Sequence, residues 1–429
     1  MHAGHTEPML RDHYTSELAQ QLAGELLPRF LRYVCLDTQA QRQRERSPST
    51  PGQLELGRML VDELTELGIA DAAQDANGYV TATLPGSGPA FGLIAHLDTS
   101  PDAPGAGVAP LVHERYEGGV ITLPAGGTRL DPLTMPELRA KVGHDILTAS
   151  GDTLLGADDK AGVAIIMAAL AYLGSHPEQP RANVRVCFTV DEEIGEGATL
   201  FDLGSFGAPC AYTIDGSEIG ELQDETFSAQ EAIVTIQGVD VHPGQAKGKL
   251  VNALRLGARI VDALPEALSP ERTSGREGFI HPYELSGTPV RAELRAILRD
   301  FDDDLLAEHV ALLRRVVDGV AAAEPRARVQ VEIREQYRNM RRHLEAFPAA
   351  IAAAEQAFRA EGIEPVRIPI RGGTDGSRLS EMGLPTPNIF TGGHEYHSVR
   401  EWASLQDMAA AAATVVRLAG VWSQRPLPR

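Results

Sequence analysis

Several short apolar runs of this chain end directly at a histidine or a carboxylate, which limits the folds that can bury them. The runs 91–95, 184–190 and 211–214 lead into His96, Asp191 and Asp215 respectively. Such runs are typical of buried strands, and segments with helical spacing alternate with them. In α/β folds, active sites form where polar side chains follow the carboxyl ends of strands. The sequence therefore predicts an α/β fold with a polar cluster at one edge of a sheet.

The pattern of the sequence changes near residue 227, which indicates a second domain. From there the predicted elements are strands at 231–238, 291–299 and 329–334 and helices at 250–264 and 301–322. We interpret these five elements as part of a compact β-α-β-β-α-β-like unit. We expect a smaller α+β domain at 227–337, inserted into a discontinuous main domain formed by 1–226 and 338–429.

The charge balance excludes several classes of partner. The 429 residues include 59 acidic and 39 basic side chains, a net charge of −20. No basic stripe is available to hold phosphates, so we expect neither nucleic acid nor an anionic membrane as partner.

No apolar stretch is long enough to span a bilayer. Three isolated cysteines without CxxC spacing favour a reducing cytoplasmic location over a disulfide framework.

The polar residues at the strand ends are those that a pair of hydrolytic metal ions requires. Two such ions need one carboxylate that reaches both and separate ligands for each. Asp158 follows a glycine turn at a predicted helix N-terminus and is the candidate bridge, although Asp158 and Asp159 could simply cap the helix. His96 precedes Asp98 by two positions, a spacing that lets a carboxylate orient a metal-bound imidazole. Together these residues indicate a two-metal hydrolase.

Further candidate ligands lie in three other segments. Glu192 and Glu193 are adjacent and must point in different directions, so one can bind metal while the other faces the water; the alternative is a solvated acidic turn. Asp215 ends a strand, and His397 lies in a glycine-rich loop in which His394 is a rival ligand. The segment 372–376 is rich in glycine but lacks the lysine of a phosphate-binding loop.

Eight motifs resemble, in order, those of the M20 metallopeptidase family, and the resemblance runs from about residue 28 to the C-terminus. They are HLDTSPD, LLGADDKAGVA, TVDEEIGEGA, YTIDG, VHPGQAKG, RDFD, RGGTDGSRLS and NIFTGG. The resemblance implies two zinc ions per subunit, for which cobalt or manganese could substitute. It makes Asp158 the bridging ligand. One zinc would add His96 and Asp215, and the other would add Glu193 and His397. Glu192 would be the general base, and Asp98 would orient His96.

The resemblance also implies a fold and an activity. The fold is a zinc-peptidase-like catalytic domain, with a mixed sheet flanked by helices, and an inserted lid or dimerisation domain. His242 would enter the active site of a partner subunit in a homodimer and stabilise the oxyanion there. Asn252, Arg299 and Arg371 would contact substrate, although each arginine could instead be a surface charge. We expect a cytoplasmic aminopeptidase that removes the first residue of tripeptides through a metal-activated water. The alternatives are another M20 activity (dipeptidase, carboxypeptidase or amidohydrolase) and a catalytically silent peptide-binding homologue.

Overall fold

The chain divides into two compact units. The computed structural model describes residues 13–426. The first unit contains the chain up to Asp224, Arg342–Ile368 and the chain from Thr374 onward, and the second contains Glu225–Arg341 and Pro369–Gly373. The insertion predicted at 227–337 lies within the second unit.

The described residues form strands and helices in the following order. The strands are β1 (Ala73–Gln74), β2 (Val80–Leu84), β3 (Ala90–His96), β4 (Leu111–His113), β5 (Ile121–Thr122), β6 (Arg129–Leu130), β7 (Ile146–Thr148), β8 (Asn183–Thr189), β9 (Ala211–Gly216), β10 (Glu221–Gln223), β11 (Ser228–Gln237), β12 (Phe279–Gly287), β13 (Arg291–Asp300), β14 (Arg328–Tyr337), β15 (Val366–Arg367), β16 (Asn388–Phe390), β17 (Gly393–His394) and β18 (Trp402–Ser404). The helices are α1 (Glu17–Val34), α2 (Pro51–Glu66), α3 (Pro136–Arg139), α4 (Ala157–Ser175), α5 (Leu203–Phe206), α6 (Ala253–Ala263), α7 (Asp303–Ala323), α8 (Arg341–Ala346), α9 (Ala349–Ala360), α10 (Asp375–Glu381) and α11 (Leu405–Ser423).

The first unit is built on a mixed sheet in the strand order β1-β2-β8-β3-β9-β16-β10-β15. Strand β3 is parallel to both β8 and β9, and β16 is parallel to β9, whereas β2 and β10 are antiparallel to their neighbours β8 and β16. His96 at the end of β3 pairs with Thr189 at the end of β8. The carboxyl ends of these parallel strands therefore share one edge of the sheet. The predicted mixed α/β fold with flanking helices is confirmed.

Helix α4 lies against the centre of this sheet and is buried almost all round. It contacts β3 and β9, and it also packs against α1 and α11. A Cβ atom at Gly162 would lie 2.0 Å from the backbone oxygen of Ile214, so only glycine permits this approach of α4 to β9. Within residues 13–426, no helix combines the length and hydropathy needed to cross a bilayer.

A second sheet of the first unit has the strand order β17-β18-β7-β4. Its strand β18 contributes Trp402, which is fully buried in a cluster with Met135, Leu138 and Ile146. Strands β5 and β6 form a short antiparallel pair. This sheet fixes the loop between β17 and β18, which carries His397.

The second unit is an antiparallel sheet in the strand order β12-β13-β11-β14 with helices α6 and α7 packed against it. Along β13, burial alternates, and Leu294 and Leu298 lie on the buried face. They pack with Leu256 of α6 and Leu313 of α7 in one apolar core. The element order is β-α-β-β-α-β, as expected, although β12 (Phe279–Gly287) is not among the strands that the sequence pattern predicts.

Candidate metal centre

Two groups of imidazole and carboxylate side chains meet at Asp158. His96 and Asp215 form one group with Asp158, and Glu193 and His397 form the other. His96 Nε2 lies 2.9 Å from Asp158 Oδ1, and His397 Nε2 lies 3.2 Å from Asp158 Oδ2. His397 Nε2 is also 2.9 Å from Glu193 Oε2. The two oxygens of one carboxylate therefore face two separate groups of donors.

The edge of the central sheet brings these residues together. His96 ends β3, Asp215 is near the end of β9, and Glu192 and Glu193 form a single helical turn after β8. Polar side chains at the carboxyl ends of neighbouring parallel strands converge in this way in α/β proteins. His397 comes from the loop after β17, and its φ of 59° lies in the left-handed region.

Asp98 links His96 to the turn of the two glutamates. Its carboxylate accepts hydrogen bonds from the backbone N–H groups of Glu192 (3.0 Å) and Glu193 (3.1 Å). His96 Nδ1 lies 3.4 Å from Asp98 Oδ1 and 3.0 Å from the Asp98 backbone oxygen. Asp98 is fully buried, so these bonds are shielded from water. Asp98 thus contacts the imidazole through its backbone oxygen and its carboxylate, and its carboxylate also holds the backbone of both glutamates.

Glu401 holds the turn that presents Asp158, and sequence reasoning missed it. Its Oε2 accepts the backbone N–H groups of Leu155 and Gly156, both at 2.8 Å. Its Oε1 accepts the N–H of Asp158 at 3.0 Å. Glu401 is 1% exposed, whereas its neighbours in the sequence include charged and hydroxyl residues typical of a surface loop. Because its partners lie about 245 positions away, no local pattern identifies it.

Asp191 anchors the turn of the two glutamates from the other side. Its φ of 60° places it in the left-handed region, a conformation that costs free energy in a residue other than glycine. Its carboxylate accepts hydrogen bonds from Ser49 N (2.8 Å) and Gln53 Nε2 (2.7 Å). Hydrogen bonds from the loop before α2 and from the first turn of α2 therefore compensate the strained backbone at Asp191.

Burial and mutual repulsion raise the pKa values of three carboxylates of the centre, whereas at Asp158 burial is outweighed by hydrogen bonds to His397 and His96, which lower its pKa. Burial raises the pKa of Glu192 and of Asp215 well above the usual range, and neighbouring carboxylates add to both shifts. Burial and the charge of Asp158 raise the pKa of Glu193 to about 7. Burial opposes a charged imidazole at His397, but its hydrogen bonds to Asp158 and Glu193 raise its pKa to about 11. A cation placed among these carboxylates would relieve their repulsion.

The donor set fits a pair of divalent metal ions. Glu193 Oε1 is buried and has no hydrogen-bond partner among the described residues, which leaves a carboxylate oxygen available for an ion. Each group offers one imidazole nitrogen and carboxylate oxygens, a mixture that suits zinc and similar first-row metals. The Asp158 carboxylate is the one member that the two groups share.

The geometry separates these residues from the rival candidates. The Asp159 carboxylate accepts hydrogen bonds from the backbone N–H groups of His96 (3.1 Å) and Gly162 (3.2 Å). It therefore joins the end of β3 to the first turns of α4. His394 stacks on Trp402 with ring centroids 4.2 Å apart and belongs to neither group. In the segment 372–376, the notable residue is Asp375, which is buried and accepts the Thr189 hydroxyl at 2.7 Å.

The four predicted substrate or oxyanion residues all lie in the second unit. His242 is exposed, and its Nδ1 accepts the N–H of Gly244 at 3.2 Å. Asn252 is the N-cap of α6, because its side chain accepts the N–H of Arg255 at 3.1 Å. The roles of His242 at the oxyanion and of Asn252 in contacting the substrate stay predictions.

The two arginines lie close together in the second unit. Arg299 Nη1 donates to the backbone oxygen of Arg371 at 3.3 Å. Arg371 Nη1 donates to the backbone oxygens of Gly275 and Glu277, both at 2.8 Å. Its guanidinium also lies 5.2 Å from the ring centroid of Phe227. The structure therefore gives Arg371 several partners within its own unit.

Comparison with known proteins gives consistent matches. Residues 153–420 match the model of peptidase family M20/M25/M40. A protein named Peptidase T from Aliivibrio salmonicida is 45% identical over 399 residues, which cover 92% of this chain and 98% of that protein. A tripeptidase structure from Staphylococcus aureus has a TM-score of 0.74 at 19% identity and covers 94% of this chain and 99% of that one. An aminopeptidase PepT structure from Bacillus cereus has a TM-score of 0.71 at 20% identity, with the same coverage.

Proposed function

Because this chain belongs to peptidase family M20/M25/M40, we propose that it hydrolyses tripeptides with a pair of zinc ions at the centre described above. The protein is a metal-dependent tripeptide aminopeptidase of the peptidase T type, which releases the first residue of its substrate. The observation that carries the proposal is the Asp158 carboxylate, whose two oxygens face two separate groups of ligands.

The residues of each group would hold one ion. His96 and Asp215 would complete one site and Glu193 and His397 the other, with Asp158 shared. When bound, the ions supply Lewis acidity that polarises the scissile carbonyl and lowers the pKa of a water molecule. Cobalt or manganese could replace zinc, because nitrogen and oxygen donors accept all three metals.

Glu192 is the proposed general base. Its backbone N–H is held by Asp98, and its Oε2 lies 4.0 Å from His96 Nε2. The carboxylate takes a proton from the attacking water and returns it to the nitrogen of the leaving amine, which otherwise would depart as an unstable anion. A catalytically silent homologue would have no use for a carboxylate at this point.

The second unit is the proposed lid and dimerisation domain. His242 would stabilise the oxyanion in the partner subunit of a homodimer, which agrees with its exposure in the single chain. Asn252, Arg299 and Arg371 would contact the peptide, and an arginine can pair with its terminal carboxylate through two hydrogen bonds. We also place the enzyme in the cytoplasm, since its three cysteines are all free.

A peptide panel tests the activity. We expect hydrolysis of tripeptides at the first peptide bond, weaker hydrolysis of dipeptides and tetrapeptides, and strong loss on N-acetylation or C-terminal amidation. The discrimination should appear in kcat/KM, because a misplaced terminus loses positioning as well as binding. Equal rates on tripeptides and their N-acetylated forms would contradict the aminopeptidase and favour an amidohydrolase.

Subunit mixing tests the dimer. His242→Ala and Glu192→Gln are each expected to be inactive, but one site of a mixed dimer would receive both wild-type groups. Recovery of activity after verified subunit exchange is the expected result. Its absence would contradict a contribution of His242 to the partner's site.

A further inference from the structure

A cavity of about 310 Å³ lies in the first unit, on the segments that carry Asp215 and His397. Its walls include Met135, Glu218, Glu221, His394, Glu395 and Trp402. Ser217, two positions after Asp215, also lines it. The Ser217 hydroxyl donates to the backbone oxygen of Gly393 at 2.6 Å, which joins the two segments. We call this cavity the acidic pocket.

His394 presents an unpaired nitrogen to the acidic pocket. Its side chain is 8% exposed. Its Nε2 atom has no hydrogen-bond partner among residues 13–426 and lies 3.6 Å from Glu218 Oε2. Burial, with a further contribution from Lys141, lowers the pKa of His394 to about 3, so the ring is neutral. A buried nitrogen without a partner is unfavourable unless a ligand supplies one.

The neighbouring serine determines which ring nitrogen carries the proton. Nδ1 of His394 lies 3.4 Å from Ser217 Oγ. Since the Ser217 hydroxyl proton is already donated to Gly393, Nδ1 must be the donor in that contact. Nε2 then holds the lone pair and can accept a hydrogen bond. The ligand that suits this nitrogen is therefore a donor.

The charges around the acidic pocket indicate that the donor is a cation. Lys141 is shared between Glu218 and the buried Asp407, so it cannot neutralise both. Arg400 pairs with Glu395 at 2.7 Å. Carboxylates therefore outnumber these two cations.

Glu221 leaves a carboxylate oxygen for such a cation. Its Oε2 accepts the Ser217 N–H and the Gln223 amide, both at 3.2 Å. In the described part of the chain, no hydrogen bond reaches its Oε1. Within the described residues, the histidine and carboxylate atoms of the acidic pocket do not lie close enough together to form a metal-binding group. The charge of the pocket therefore favours an organic cation as its ligand.

We propose that the acidic pocket binds a primary ammonium group of the first residue of the peptide. The inference rests on the proposed function, because it assigns part of that enzyme's specificity. Three N–H donors of an ammonium match the His394 nitrogen and the oxygens of Glu218 and Glu221. Met135 and Trp402 add apolar surface for the carbon atoms attached to it. The ammonium is supplied either by the α-amino terminus or by a lysine side chain.

Direct binding tests the acidic pocket without relying on turnover. In calorimetric titrations of the zinc-loaded enzyme, n-butylammonium should bind and n-butanol should not. Glu221→Gln keeps an acceptor for Ser217 but removes the charge, and it should weaken binding by roughly tenfold or more. His394→Phe keeps the stacking on Trp402, removes Nε2 and should weaken binding as well. Glu117→Gln, an exposed carboxylate outside the cavity, is the matched control. Equal binding in all four proteins would overturn the proposal.

Kinetics then distinguish the two sources of ammonium. If the α-amino terminus binds, Glu221→Gln should raise KM equally for Lys-Gly-Gly and for norleucine-Gly-Gly. If a lysine side chain binds, only Lys-Gly-Gly should be affected. No change for either peptide would overturn the assignment to the first residue. If the wild-type enzyme does not hydrolyse tripeptides, the proposed function is refuted. The calorimetric titrations would still decide whether the acidic pocket binds ammonium.

Discussion

The metal centre and the predicted substrate residues of the second unit differ in how their side chains are held. At the centre, buried acceptors from distant segments fix the backbone: Glu401 holds Asp158, and Asp98 holds the turn of the glutamates. In the second unit, Asn252 caps its own helix and Arg371 donates to nearby backbone oxygens. The centre is therefore organised before ligands bind, whereas Arg371 would have to give up backbone partners if it contacts the peptide.

The largest effect is expected from the base at the organised centre. Glu192→Gln preserves shape and removes basicity, so kcat should fall about a hundredfold or more. Metal content should stay unchanged, because Glu192 belongs to neither ligand group. Steady-state kinetics with elemental analysis checks both, and the exposed Glu178→Gln serves as control. Near-normal turnover would show that the base is another group.

A smaller effect is expected from Glu401, which acts through Asp158. In Glu401→Gln one carboxylate oxygen becomes an NH2 donor that faces backbone N–H groups, so at least one of them loses its acceptor and the turn should shift. Loss of such an outer contact typically weakens metal affinity 10- to 100-fold, which chelator competition measures. Glu361→Gln is the matched control: Glu361 is 2% exposed and accepts Arg417 Nε at 3.2 Å, outside the centre. Equal loss of affinity in both variants would contradict a specific role of Glu401.

The smallest effect is expected in the second unit. Asn252→Ala removes the N-cap of α6 and should cost about 1 kcal/mol of unfolding free energy, whereas Asn252→Asp keeps an acceptor for Arg255. Denaturant unfolding measures both. If the Asn252 amide also contacts the peptide, kcat/KM should fall in both variants. Unchanged kcat/KM in both would leave Asn252 as a helix cap alone and sharpen the contrast between the two regions.

The sequence predicts the parts of the protein that depend on local pattern. The apolar run before His96 is a buried strand, and the polar residues after neighbouring strands converge because parallel strands share an edge. Strands β11, β13 and β14 and helices α6 and α7 of the second unit also follow from alternation and helical spacing, whereas β12 is not predicted. These predictions succeed because periodicity determines which face is buried.

Other parts of the centre depend on contacts between distant segments, which no local pattern reveals. Glu401 and Asp375 resemble surface acids in the sequence, but both are buried by elements from other parts of the chain. His394 differs from His397 only by three positions in one loop, and the stacking on Trp402 separates their roles. The sequence leaves this choice open because loop geometry depends on β17 and β18.

The central claim is that one carboxylate serves two metal sites. Elemental analysis of wild-type protein and Asp158→Ala, each reconstituted with zinc and freed of excess metal, tests it most directly. We predict a stoichiometry near two ions per chain in the wild type, one for each ligand group. Asp158→Ala should lose both ions, because each group loses the ligand that they share. A wild-type stoichiometry near one, or two ions retained in Asp158→Ala, would contradict the bridged centre.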